Sequence, residues 1–208
     1  MIKSLAKLAS VAAIAAACIA TPASAASDRV ELLRHANQTV NHLRHDPAFG
    51  TARTLIEGAR AVYIVPKLVK GGFIFGAEGG DGVLLKRTAK GWSNPKFYGM
   101  GSASFGFQAG LEQAELVFII NSDRALRGIE GGNFKIGAGA GLTVVTLSAG
   151  AEGATTARGG DMTVWTSATG AYGGLTLNGT VIKADDEENA APRNGPAAEE
   201  LRHNLGSL

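Results

Sequence analysis

Leu116-Val117-Phe118-Ile119-Ile120 is five apolar residues with no polar residue between them. A strand with one wet face alternates apolar and polar residues, so a continuous run predicts a strand covered on both faces. The strand reads over 113–121, buried on both faces.

Outward from that run, most of the chain also reads as strand. Ala61-Val62-Tyr63-Ile64-Val65 is a β-type run that Pro66 closes. Strand-like segments follow over 72–77, 82–88 and 97–108, then over 134–146, 163–167 and 175–183. Ser122 is placed to cap a short helix over 123–127. The start of the chain is different. Val30, Leu33, Val40 and Leu43 recur at helical spacing over 26–46. Asp28 and Glu31 outline a capping box, and Pro47 stops the helix. A shorter helix reads over 49–57, with Leu55 and Ile56 inward.

Glycine makes up 29 of the 208 residues, and 27 of them fall between 50 and 179. There is no Gly-X-Y period, which excludes collagen. Glycine within strands serves bends, bulges and close backbone approach. The expected fold is therefore α+β and mainly β: a glycine-rich, strongly curved antiparallel sheet or small barrel-like core, with N-terminal helices packed on it.

Residues 1–25 have the form of a secretory signal. Lys3 and Lys7 precede an apolar run, and Ala23-Ser24-Ala25 is an A-x-A cleavage site. A second reading makes Cys18 a lipidated N-terminus. Plain cleavage is favoured, because lipoprotein signals usually carry Leu three residues before the cysteine and Ala15 stands there. The expected location is periplasmic or secreted, or outer-membrane lipoprotein if Cys18 is lipidated. Residues 26–184 form the expected domain, with a helical entry over 26–60 and a β core over 61–184. Residues 185–208 are acidic, with two basic and six acidic side chains. They are expected to be a disordered tail, with a weak terminal helix over 197–204.

Much chemistry is excluded by composition. Cys18 is the only cysteine, and the four histidines are His35, His42, His45 and His203. The core segment thus lacks both residue types, which disfavours Cys–His or Ser–His–Asp catalysis and a zinc site. His35, His42 and His45 share one side of the first helix and read as a solvent-facing polar stripe. Glu78 with Asp81, and Glu112 with Glu115, are the close carboxylate pairs open to acid–base work. Gly99-Met100-Gly101 and Gly137-Ala138-Gly139-Ala140-Gly141 lack a P-loop ending, and the turn at Gly79-Gly80-Asp81-Gly82 lacks calcium-loop spacing. No cofactor and no metal is implied.

Charge is concentrated. Over 60–96, Arg60, Lys67, Lys70, Lys86, Arg87, Lys90 and Lys96 face only Glu78 and Asp81. Such an excess attracts anions. Trp92, Phe97 and Tyr98 could stack on bases, but a secreted chain of balanced charge makes nucleic acid an unexpected partner.

The order of motifs over 61–183 resembles the SYLF domain, also called the Ysc84-type domain. Tyr63-Ile64-Val65-Pro66 with Lys70-Gly71-Gly72-Phe73 is similar to its opening strand, proline and K-x-G-F segment. Gly80-Asp81-Gly82-Val83-Leu84-Leu85 and Gly91-Trp92-Ser93-Asn94-Pro95 resemble its G-x-G strand and W-S-x-P turn. Gly99-Met100-Gly101 through Gly106-Phe107-Gln108-Ala109-Gly110 resembles its G-x-Q-x-G strand. Ser167-Ala168-Thr169-Gly170-Ala171-Tyr172-Gly173-Gly174 resembles its S-x-x-G-x-x-x-G element.

The resemblance implies binding of anionic phospholipid, and for some members of actin. Behind a secretory signal, actin is not an expected partner. The predicted lipid-binding residues are Lys67, Lys70, Lys86, Arg87, Lys90, Trp92 and Lys96, with Trp92 at the membrane interface. Two other classes stay open: a structural envelope or protein-interaction module without lipid dependence, and a carboxylate-dependent hydrolase.

Overall fold

The computed structural model describes residues 22–72, 75–105, 111–136, 144–148, 160–167 and 179–208. Helix α1 (Pro22–Arg44) and helix α2 (Phe49–Gly58) come first. Strands β1 (Ala61–Gly72), β2 (Phe75–Thr88), β3 (Gly91–Trp92), β4 (Lys96–Phe105) and β5 (Leu111–Ile120) follow. Helix α3 (Asp123–Glu130) leads into β6 (Asn133–Lys135), β7 (Val144–Ser148), β8 (Met162–Thr166) and β9 (Val181–Ala184). Helices α4 (Asp186–Ala190) and α5 (Pro196–Gly206) close the chain.

The strands form one strongly curved, half-barrel sheet in the order β6-β9-β4-β2-β1-β5-β8-β7, with β3 beside β2. All described pairs are antiparallel except β7 with β8. This is the α+β, mainly β architecture expected from the sequence.

The central strands are apolar throughout because they separate two cores. Val117 and Ile119 of β5 join Val62, Ile64, Val83 and Leu85 beneath α1, α2 and α5. Leu116, Phe118 and Ile120 point the other way, with Tyr63, Val65, Leu68 and Leu84, against α3. Side chains alternate between faces along a strand, so five successive buried residues need two covered faces.

Pro66 does not end its strand. Val65 pairs with Leu116 and Leu68 with Ala114, so Pro66 and Lys67 together oppose Glu115. Proline cannot donate to the ladder, and a bulge absorbs it there. The extra residue reverses the alternation: Val65 and Leu68 both reach the α3 side. The partner strand supplies Gly80 and Gly82 at this point. A Cβ on Gly80 would collide with the Lys67 carbonyl, and one on Gly82 would lie 2.5 Å from the Ile64 carbonyl. Glycine here permits close backbone approach.

Three expectations at the chain ends are corrected or left open. Helix α1 begins at Pro22, so Asp28 lies within it and is not its cap. Alanine-rich sequence ahead of Asp28 has high helix propensity and carries the helix back. The signal segment lies almost wholly outside the described residues. The acidic tail is not disordered: Asp185 caps α4 by accepting from the Glu188 amide, and α5 buries Ala198, Leu201 and Leu205 against α1. Three apolar residues on one helical stripe provide the burial that the local composition hides. Among the described residues, no helix is long and apolar enough to cross a membrane.

Candidate functional site

The seven predicted residues do not form one surface. Strand alternation, shifted by the bulge, divides them. Lys67 faces the α1 side and is exposed. Lys70 sits at a register position between Glu78 of β2 and Glu112 of β5. Lys86 donates to Glu130 of α3 at 2.7 Å, on the opposite face. Arg87 turns toward α2 and donates to the Ile56 carbonyl at 2.6 Å, supplying a partner at that helix's C-terminus. Partial desolvation there pushes its pKa below the usual arginine value. Lys90 is exposed in the turn before β3, and Lys96 opens β4.

Trp92 is corrected. It is 3% exposed, within the core shared by α1, α2 and α5. Its ring lies 3.9 Å from the Arg87 guanidinium, and its carbonyl accepts from Arg202 of α5 at 3.0 Å. It covers the sheet edge and does not reach a membrane interface. The cause is α5, whose return over β3 the sequence around Trp92 does not announce.

The carboxylate pairs separate as well. Three residues apart on a strand means opposite faces, so Glu78 and Asp81 do not meet. Glu78 is buried and accepts from the Ser102 hydroxyl at 2.7 Å. The side chain of Glu112 lies outside the described residues. The three histidines at the start of the chain each have a separate partner: in α1, His35 lies 2.8 Å from an Arg34 nitrogen and His42 lies 2.9 Å from Glu115, and just past it His45 lies 2.7 Å from the Asn41 carbonyl. Among the described residues, no cluster could hold a metal ion.

Among the described residues, two concave surfaces lie along α1. The more apolar is a groove of about 510 Å³ where the start of α1 meets the segment before α5. Val30, Leu33, Phe97, Pro192 and Pro196 contribute apolar wall, with Arg34 and Arg193 beside them. Val30 is 56% exposed, the most exposed large apolar residue described. Arg29 is tied to Glu188 at 2.8 Å. The second surface is a less apolar cleft of about 360 Å³ on another side of α1, at the Pro66–Lys67 bulge. Sequence reasoning missed the groove because its walls are some 160 residues apart in the chain. The only local signal was Val30, an apolar residue read as part of the inward stripe.

A family model described as Las17-binding protein actin regulator (Ysc84) matches residues 101–194. SH3 domain-containing YSC84-like protein 1 of Bos taurus is 30% identical over 170 residues, covering 80% of this chain and 49% of that protein. Protein YSC84 of Saccharomyces cerevisiae is 30% identical over 140 residues, 65% of this chain and 30% of that protein. LAS seventeen-binding protein 3 of the same species is 26% identical over 168 residues, 76% of this chain and 36% of that protein. The chain therefore spans about half the length of the mammalian relatives it matches, and less of the yeast ones. No solved structure matches it. The family description and the name of LAS seventeen-binding protein 3 describe binding to a protein. By matched region and motif order, the chain belongs to the Ysc84-type, or SYLF, domain family.

Proposed function

We propose that this chain binds anionic phospholipid at a membrane surface, through the groove at the start of α1. The observation that carries the reading is the exposed apolar wall around Val30, flanked by Arg34 and Arg193. An apolar wall can take up acyl or glycerol surface, and each arginine near an anionic headgroup layer contributes about 1 kcal/mol. Fully burying a Val side chain adds roughly 1.5–3 kcal/mol. Together these support reversible, salt-sensitive adhesion. Exposed Lys90 adds long-range attraction, whereas Lys86, Arg87 and Trp92 hold the fold together. The signal-like residues 1–25 support the cell envelope as the location, where actin is not an expected partner.

The test is co-sedimentation with neutral and anionic vesicles at low and high salt. Binding confined to anionic vesicles, released by salt and lost on reversing Arg34 and Arg193, is the expected result. Binding that ignores those two charges would refute the groove.

A second reading is favoured by one yeast relative, whose name describes binding to a protein. The same groove would then take an apolar protein segment. Its mark is complex formation that persists without lipid.

A further inference from the structure

Helix α5 is entered through Asn194-Gly195-Pro196. Gly195 is the N-cap, and its φ of +149° is a conformation that side chains rarely adopt. The fold therefore keeps a glycine directly after Asn194. Asn194 itself is exposed, belongs to no helix or strand, and lines the groove beside Arg193. Neither its side chain nor the Gly195 N–H has a hydrogen-bond partner among the described residues.

A short amide side chain meets the backbone just after it with little distortion. A glycine there removes the Cβ that would crowd the approach. Asn189 is the contrast within the same connection. Its Nδ2 donates to the Phe97 carbonyl at 2.7 Å, and its Oδ1 accepts from the Phe97 amide at 2.9 Å. That amide acts as a substitute strand partner for β4, and Ala190 follows it. Asn194 lacks such a tether among the described residues.

We infer that Asn194 is a site of spontaneous deamidation, and that the reaction cancels the positive excess of the groove. The Gly195 amide gives its proton to hydroxide, and its nitrogen bonds to Asn194 Cγ. The Cγ–Nδ2 bond breaks, and ammonia leaves with a proton taken from water. A further water opens the cyclic imide at either carbonyl, its hydroxyl going to carbon and its proton to nitrogen. The products at position 194 are aspartate and isoaspartate, and no oxidant or reductant takes part. Around the groove, Arg29, Arg34 and Arg193 stand against Glu200 and the Arg29 partner Glu188, a formal excess of one positive charge. A new carboxylate beside Arg193 brings that excess to zero. The effect on membrane binding rests on the groove reading above; the chemistry at Asn194 does not.

The experiment ages the purified chain in mildly alkaline buffer, digests it with trypsin and maps the peptides by mass spectrometry against an unaged sample. Trypsin cuts after Lys183, Arg193 and Arg202, so residues 194–202 carry Asn194 as their only amide side chain and residues 184–193 carry Asn189 alone. The expected result is conversion of amide to acid in 194–202, as a pair of aspartate and isoaspartate forms, at a rate that rises with pH. Over the same time 184–193 keeps its mass. Asn194→Gln, which would have to close a larger ring, stays unmodified. The modification is overturned if 194–202 keeps its mass, if both peptides change at one rate, or if Asn194→Gln reacts as fast as wild type. Asn194→Asp stands in for the product. It is expected to bind anionic vesicles roughly fivefold more weakly, the worth of one charge near such a surface. Asn194 is exposed, so this variant melts no lower than wild type, which shows that it is folded. If it binds as wild type does while reversal of Arg34 and Arg193 abolishes binding, the charge effect is overturned and the groove reading stands. If neither change matters, the groove reading fails, and the peptide map alone decides the modification.

Discussion

The Arg87 guanidinium lies 3.9 Å from the centroid of the Trp92 ring and donates to the carbonyl of Ile56. One cation thus links β2, the short edge strand β3 and the end of α2. Two residues whose chemistry suits a membrane surface are used here as a structural joint. Cation–π contact and a charged hydrogen bond to a helix terminus each favour arginine over lysine. Trp92→Ala is expected to lower stability by about 3–5 kcal/mol. Arg87→Lys should lower it less, because the ammonium keeps charge and loses the planar stack. Denaturant unfolding measures both, and vesicle binding per folded molecule stays unchanged in Arg87→Lys.

The C-terminal helix is part of the fold. Leu201 and Leu205 are buried against α1, and Asn37 bridges to α5 through Glu200 and Asn204 at 2.6 Å each. Leu205→Ala should cost about 2–5 kcal/mol. Deleting α5 should cost more, since it also uncovers Trp92. Limited proteolysis and thermal melts test this; a truncated chain that melts at the full-length temperature would show that α5 adds nothing.

Much of the architecture was legible in the sequence, for physical reasons that also explain the misses. The run at Leu116–Ile120 announced two covered faces because only double burial tolerates five apolar residues in a row. Ser122 announced α3, and its side chain accepts from the Ala125 amide at 3.2 Å. Pro66 misled, because a proline that breaks an isolated strand is accommodated where partners on both sides hold a bulge. Arg34 and Arg193 carried no motif. Their neighbourhood arises only when α1 and the segment before α5 meet, and no periodicity within either encodes that meeting.

The bulge depends on its glycine partner. The neighbour that a Cβ on Gly80 would meet is the backbone of β1 at Lys67. Backbone cannot move aside as a side chain can. Gly80→Ala should therefore destabilise by about 1–3 kcal/mol or more. Denaturant unfolding curves measure the loss.

Asp81 supplies a pH signature. Desolvation, then the neighbouring charges of Asp185 and Glu188, hold its carboxyl above the usual carboxylate range. A raised folded-state value means that folding favours the protonated form. The stabilisation is complete below the unfolded pKa and is lost as pH rises through the folded one. Asp81→Asn should therefore raise the melting temperature at pH 7 and give no gain near pH 3, below the ordinary aspartate value of about 3.9.

The most direct test of the central claim is vesicle co-sedimentation of the wild type beside the Arg34→Glu, Arg193→Glu double variant. Neither arginine lies in a core, so the melting temperature should be preserved. The groove account predicts that wild type sediments with anionic vesicles alone, that salt releases it, and that the double variant stays in solution. Undiminished sedimentation of the folded double variant would contradict it.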